Sequence, residues 1–146
     1  MCLDINCIRD IIIYCVENID YKEIPVNSWK VISVSLDKLY NSEKLSKYEK
    51  KDIMYSVMKL AEYKYITLSN ITPSNKPYID SCSITDVTVL GHNFYNSVKD
   101  NKIWNKASKV LAKIGNHTLK FAEDTSQLIA STAVKQTIAS IVMSKL

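Results

Sequence analysis

The chain has 146 residues, of which two are glycine, two histidine, three proline and four cysteine, with nineteen basic side chains against fifteen acidic ones. Average glycine usage is about 7% and a phosphate cradle needs clustered glycines, so neither a P-loop nor a dinucleotide fingerprint can be written here. Two histidines cannot build a three-histidine metal centre, and the net charge of +4 excludes a DNA mimic, which needs a dense acidic surface.

An apolar fraction of 47% suits one domain of ordinary size with a real core, or a small domain with an appendage. Cys2, Cys7, Cys15 and Cys82 form no CxxC pair, and Asp4 stands where a signal peptide would be basic; both predict a reduced, cytoplasmic protein. The longest aliphatic run, Ile11 to Ile13, is far short of the roughly 18 to 20 apolar residues that span a bilayer, so no integral membrane association is expected. Charge is segmental. Residues 1–43 hold four bases and seven acids, 44–78 seven and three, 79–98 two acids alone, and 99–146 eight bases and three acids.

From Asp4 to Asn18, Ile5, Ile8, Ile11, Ile12, Cys15 and Val16 recur at three- and four-residue spacing, with Asn6, Asp10 and Glu17 opposite, which predicts an amphipathic helix. Residues 20–27, with Pro25, break that pattern. Val31 to Leu36 is β-branched enough for a short strand, a helical turn being the alternative. Ser46 and Glu49 have the spacing of a capping box and predict a helix over 47–63. Its core face is Ile53, Met54, Val57, Met58, Leu60 and Ala61, and its outer arc Tyr48, Lys51, Asp52, Tyr55, Ser56, Lys59 and Glu62. Residues 65–71 and 78–85 read as two strands joined by a proline-bounded turn. A hairpin directly after an amphipathic helix is the order of a winged-helix domain, with the wing at 65–85.

Thr88 can cap a helix through about Lys99 that buries Leu90, Phe94 and Val98. A helix over 102–114 sets Ile103, Ala107, Val110, Leu111 and Ile114 on one side and Lys102, Lys106, Lys109 and Lys113 on the other, a basic face whose plain reading is solvation. Gly115-Asn116-His117 fits a left-handed helix stop. In the last helix, 125–146, apolar residues surround the whole wheel, so it must be buried on most sides, against a second copy or a partner. It lacks the charged face of a membrane-surface helix.

Thr88-Val89-Leu90-Gly91-His92-Asn93-Phe94, followed by Asp100 and Trp104-Asn105-Lys106, resembles the T-x-x-G-H-x-F and W-x-K signature of a family of uncharacterised bacterial and phage proteins. These are prophage-associated domains of unknown function with winged-helix character. The resemblance covers about residues 46–115. It implies a phage or prophage context and no assigned activity. One departure is that the family closes the helix before the wing with a glycine, where this chain has Tyr63-Lys64-Tyr65-Ile66.

The expected fold is therefore mostly helical with a small β-hairpin, a winged helix-turn-helix over 1–87 and a helical extension over 88–146. The leading functional expectation is a non-enzymatic, regulatory protein that binds duplex DNA. In helix-turn-helix proteins the second helix enters the major groove and basic side chains contact phosphate. Lys47, Lys50, Lys51 and Lys59 are the phosphate candidates, Tyr48, Tyr55 and Ser56 the sugar, phosphate or base contacts, and Lys76 the wing tip. Against this, the arc offers no Arg or Asn for bidentate base reading and carries Asp52 and Glu62, so a solvated helix face is the plain alternative. The second expectation is a protein-interaction module of phage origin that modulates a bacterial protein, for example a defence factor. Its interface, or that of a homo-oligomer, would be Leu128, Ile129, Val134, Ile138, Ile141, Val142 and Leu146. An enzyme would have to build on His92 or His117 with Asp86, Asp100 or a cysteine, and a structural role suits these residues better. Trp29 and Trp104 read as core. No cofactor or metal is expected.

Overall fold

The structure, a computed structural model, describes the chain except at Met1, Ser74, Asn116, His117, Lys145 and Leu146 and, of Thr137, the side chain. Helices alternate with two small antiparallel sheets, and the chain divides into two units, Met1–Tyr95 and Asn96–Leu146.

The first unit opens with α1 (Ile5–Asn18). Asp4 caps it, its carboxylate accepting from the amides of Asn6 and Cys7 at 2.9 and 3.1 Å, which satisfies two of the four free donors of a helix start. The isoleucines of α1 at positions 5, 8, 11, 12 and 13 are buried, each contributing roughly 2 kcal/mol by leaving water. Burial reaches round the helix to Arg9 and Asp10, so Asp10 does not sit on a solvated face as the periodicity predicts.

A hairpin that no pattern in the sequence predicts follows. β1 (Asp20–Ile24) pairs antiparallel with β2 (Ser28–Ile32), Tyr21 opposite Val31 and Glu23 opposite Trp29. Its turn puts Val26 and Asn27 at φ of 72° and 54°. Every residue from Asp20 to Ile32 is exposed, including Trp29, which corrects its expected place in the core. The single strand expected over 31–36 is divided: Val31 and Ile32 end β2, β3 is Val34–Ser35, and Leu36 begins α2 (Leu36–Tyr40), capped by Ser35.

A short 3-10 turn, Glu43–Leu45, leads to α3 (Lys50–Glu62). The capping box does not form. Ser46 donates its hydroxyl to the Glu43 carbonyl at 2.8 Å, and Glu49 is the N-cap, with no side-chain capping bond; the helix therefore starts three residues later than predicted. Ile53, Ser56, Val57 and Leu60 are buried, and α3 packs on α1. β4 (Ile66–Thr72) and β5 (Ser81–Val87) form a hairpin, and β3 pairs with the outer side of β5, giving the order β3-β5-β4. Cys82, Ile84 and Val87 turn one face of β5 inward, towards α1.

The joint between α3 and β4 is a Schellman turn: the Tyr65 amide donates to the Leu60 carbonyl and the Lys64 amide to that of Ala61, satisfying the last carbonyls of the helix. Lys64 holds the left-handed position at φ 62°, a conformation that glycine adopts at least cost. α4 (Val89–Val98) follows, with Thr88 at its cap. The Thr88 hydroxyl donates to the Lys64 carbonyl at 2.6 Å and accepts from the Gly91 amide at 3.1 Å. A Cβ on Gly91 would overlap the Tyr65 carbonyl oxygen and come within 2.7 Å of a Val87 methyl. Phe94 is fully buried and stacks on Tyr65 at 5.6 Å. The T-x-x-G-H-x-F residues thus lock α4 onto the base of the hairpin. Leu90, expected in the core, is half exposed.

The second unit pairs α5 (Asn101–Ile114) with α6 (Leu119–Ser144). Asp100 caps α5 through the amides of Lys102 and Ile103, and Gly115, at φ 75°, closes it. Trp104, Ala107 and Leu111 of α5 are buried, as are Leu119, Ala122 and Ser126 of α6. Val110 and Ile114, expected inward, are exposed. From Ser131 to Ser144 every described side chain of α6 is exposed. Among the described residues no helix is long and apolar enough to cross a membrane.

Candidate nucleic-acid interface

The eight residues expected to form a nucleic-acid face fall into five separate surroundings. Lys51, Tyr55 and Lys59 share one side of α3, four residues apart, as the helical repeat requires. Each lysine there meets an acid. Lys51 Nζ lies 3.3 Å from Glu49, and Lys59 Nζ lies 2.7 Å from Glu62 and 5.5 Å from the Tyr55 ring centre. The Glu62 carboxylate, as hydrogen-bond acceptor and as charge, holds the Lys59 ammonium above its ordinary range.

Lys50 turns towards α2 and stands over the Tyr40 ring at 5.5 Å. Lys47 and Tyr48 precede α3 and serve a buried carboxylate. The Tyr48 hydroxyl donates to Asp10 Oδ2 at 2.7 Å, Lys47 Nζ is 3.3 Å from the same oxygen, and an Arg9 nitrogen is 3.8 Å from Oδ1. Burial first, and the hydrogen bond to Asp10 second, push the Tyr48 phenol well above its ordinary range, so it is a fixed donor. Ser56 is 1% exposed and lies beside Cys7; the expectation that it contacts nucleic acid is corrected, since it packs towards α1. Lys76 is exposed in the loop joining β4 and β5.

An ion pair at the surface is worth about 0–1 kcal/mol, so a phosphate could displace Glu49 or Glu62. The α3 face is nonetheless nearly neutral as it stands. Its lysines were visible in the sequence, and so were Glu49 and Glu62. The role of Asp10 was not, because it comes from a helix 38 positions away from Tyr48.

Of the groups an enzyme would use, His92 and Asp86 line a shallow recess of about 140 Å³ with Cys15, Val16, Ile19, Tyr21 and Val87. Burial pushes the Cys15 thiol up to about 12, away from the thiolate a nucleophile needs. His117 lies outside the described residues. Among those described, no group of three or more His, Cys, Asp or Glu is placed to hold a metal ion.

The expected interface residues lie along α6. Leu128, Val134, Ile138, Ile141 and Val142 are half exposed or more, and Ile129 is partly covered; Leu146 is outside the described residues. Leu128 and Ile129 also line an open groove of about 340 Å³ with Thr132, Ala133, Gln136 and Lys106 of α5.

Comparison with known proteins gives one result. The family model described as hypothetical protein (DUF2513) matches residues 2–117, and the chain belongs to that family. No curated protein and no solved structure matches it. The match reaches further towards the N-terminus than the 46–115 over which the signature was read, taking in α1 and the β1-β2 hairpin, and it stops before α6.

Proposed function

We propose that this member of the DUF2513 family is a non-enzymatic winged-helix protein of phage or prophage type that binds duplex DNA in a regulatory role. The observation that carries the reading is the order of its elements. Helix, short strand, two helices and a hairpin follow one another, and the short strand closes the sheet beside the last strand of the hairpin, β3-β5-β4. In such a domain α3 is the helix presented to the major groove and the β4-β5 loop, with Lys76, is the wing. The β1-β2 hairpin is then an insertion between the first helix and the first strand.

The test is retention of a random-sequence duplex by the full chain over a range of salt concentrations. Log affinity should fall linearly with log salt, and Lys51→Ala with Lys59→Ala should weaken binding about equally across sequences. Failure to retain any duplex at low salt overturns the reading.

A second reading, a protein-interaction module whose α6 forms a homo-oligomer or docks on a bacterial protein that it modulates, is favoured by the neutralised α3 face and by the bare aliphatic residues of α6. Leu128, Val134, Ile138, Ile141, Val142 and Met143 are each half exposed or more. Six such side chains offer about 500 Å² of apolar surface, a large part of the roughly 800 Å² that one partner contributes to an ordinary interface. A second copy is the simplest occupant. The full chain should then have a mass in solution that is a multiple of the monomer's, falling to the monomer when the chain stops after Ala130. A monomeric full chain overturns self-association.

A further inference from the structure

Among the described residues the strongest uncompensated charge is not on α3. Lys102, Lys106, Lys109 and Lys113 stand at spacings of four, three and four along α5, and all four are exposed. The helix has no acidic residue anywhere between Asn101 and Ile114. Among the described residues none of the four is in an ion pair, whereas the acids nearest in sequence are otherwise engaged. The Asp100 carboxylate caps the helix, Asp124 pairs with Lys120 at 3.2 Å, and Glu123 is buried.

Like charges at i,i+3 and i,i+4 destabilise a helix, and this stripe contains three such pairs in succession. A helix whose lysines repel one another is stabilised by a partner that supplies negative charge along its length. At 1.5 Å per residue the stripe extends about 17 Å, the axial run of about five phosphates on one strand of a duplex at about 3.4 Å each. Exposed Asn105, between Lys102 and Lys106, adds an uncharged group able to bond phosphate or sugar.

We infer that the α5 stripe is a phosphate-backbone contact surface for duplex DNA, supplying most of the sequence-independent affinity. The inference rests on the reading of the protein as a DNA binder, but it assigns the electrostatic contact to a different helix from α3.

The two can be told apart by measuring anisotropy of a labelled random 20-base-pair duplex with the full chain across a salt series. Each phosphate contact contributes about 0.9 to the slope of log affinity against log salt. The K102Q/K106Q/K109Q/K113Q variant should therefore lose about 3 to 4 from that slope and at least tenfold in affinity at low salt. The corresponding four-arginine variant should keep both. Glutamine and lysine have similar helix propensity, and circular dichroism checks that the helices persist. Should the quadruple glutamine variant unfold, K102Q/K106Q and K109Q/K113Q tested separately should each lose about 2 from the slope.

Unchanged slopes in folded glutamine variants overturn the inference, and if K51A/K59A then loses binding, the α3 reading survives alone. Loss in the stripe variant with no change in K51A/K59A upholds the stripe and removes α3 from the interface. A wild-type chain that binds vesicles of anionic phospholipid but no duplex overturns both.

Discussion

Apart from the β1-β2 hairpin and a few residues such as Val89 and Leu90, residues 1–95 turn their aliphatic side chains inward and give lysines in and just before α3 carboxylate partners, whereas residues 96–146 leave the aliphatic side chains of outer α6 and the lysines of α5 bare. Val34, Leu39, Leu45, Val57 and Leu60 are fully buried in the first region, while Val134, Ile138, Ile141 and Val142 face solvent in the second. Lys47, Lys51 and Lys59 each lie within 4 Å of a carboxylate; the four lysines of the α5 stripe do not. The first region satisfies its own chemistry, and the second presents surfaces that something else must satisfy. The family match stops at residue 117, so the longest bare surface, on α6, belongs to the part of this chain outside the matched region.

The comparison is most exposed at the joint of the first region. Gly91→Ala drives a methyl into the Tyr65 backbone carbonyl, which cannot swing aside as a side-chain end could. It should cost about 3 kcal/mol, the upper range for overpacking, in chemical denaturation. Val142→Ser on bare α6 should cost a monomer less than about 0.5 kcal/mol. Equal effects would break the contrast between the two regions.

Next in size, Tyr48→Phe removes the hydroxyl that holds buried Asp10 and should destabilise by about 1.5–2 kcal/mol, the lower part of the range for a hydrogen bond to a charged group. A loss below about 0.5 kcal/mol would mean that Lys47 and Arg9 alone suffice for that carboxylate. Lys64→Gly should stabilise by about 1 kcal/mol, because it relieves a left-handed residue without touching the bonds of the Schellman turn; a fall in melting temperature would contradict that account.

The smallest effect tests the second region. Burial, with Asp124 adding to it and Lys120 opposing, holds the Glu123 carboxyl above its ordinary range. The folded state therefore prefers the protonated acid. Its contribution is whole below the ordinary value of 4.5 and drains away as pH rises through the raised one. Glu123→Gln should raise the melting temperature by a degree or two at pH 7 and leave it unchanged near pH 4. A gain at both values would point to packing instead of charge.

Helices and strands with one buried face were legible in the chain: α1, α5 and the β4-β5 pair follow from their periodicity, and Thr88 and Gly115 from cap chemistry. The elements that the sequence does not announce have no such face. β1 and β2 are exposed on both sides, so no alternation of apolar and polar residues marks them, and their turn puts a β-branched valine at positive φ, which no turn rule predicts. The Ser46-Glu49 spacing misled because a hydroxyl can bond backwards, here to the Glu43 carbonyl, as easily as forwards. The basic residues of the candidate site were readable as a set. On α3 itself Lys51 and Lys59 meet Glu49 and Glu62, which the sequence also shows, whereas the pairing of Lys47, just before α3, with buried Asp10 of α1 could not be read from spacing; the lysines of the α5 stripe were visible in full from the sequence.

The two tryptophans divide between the regions, Trp29 at 63% exposure on the β1-β2 hairpin and Trp104 at 4% inside the α5-α6 pair, and the chain has no others. One indole is open to an aqueous quencher and the other is shielded from it. Intrinsic fluorescence therefore carries two separable signals, so the hairpin and the α5-α6 pair can each be watched without attaching a dye. Covering the hairpin would protect the quenchable signal, and loosening the helix pair would create a second one.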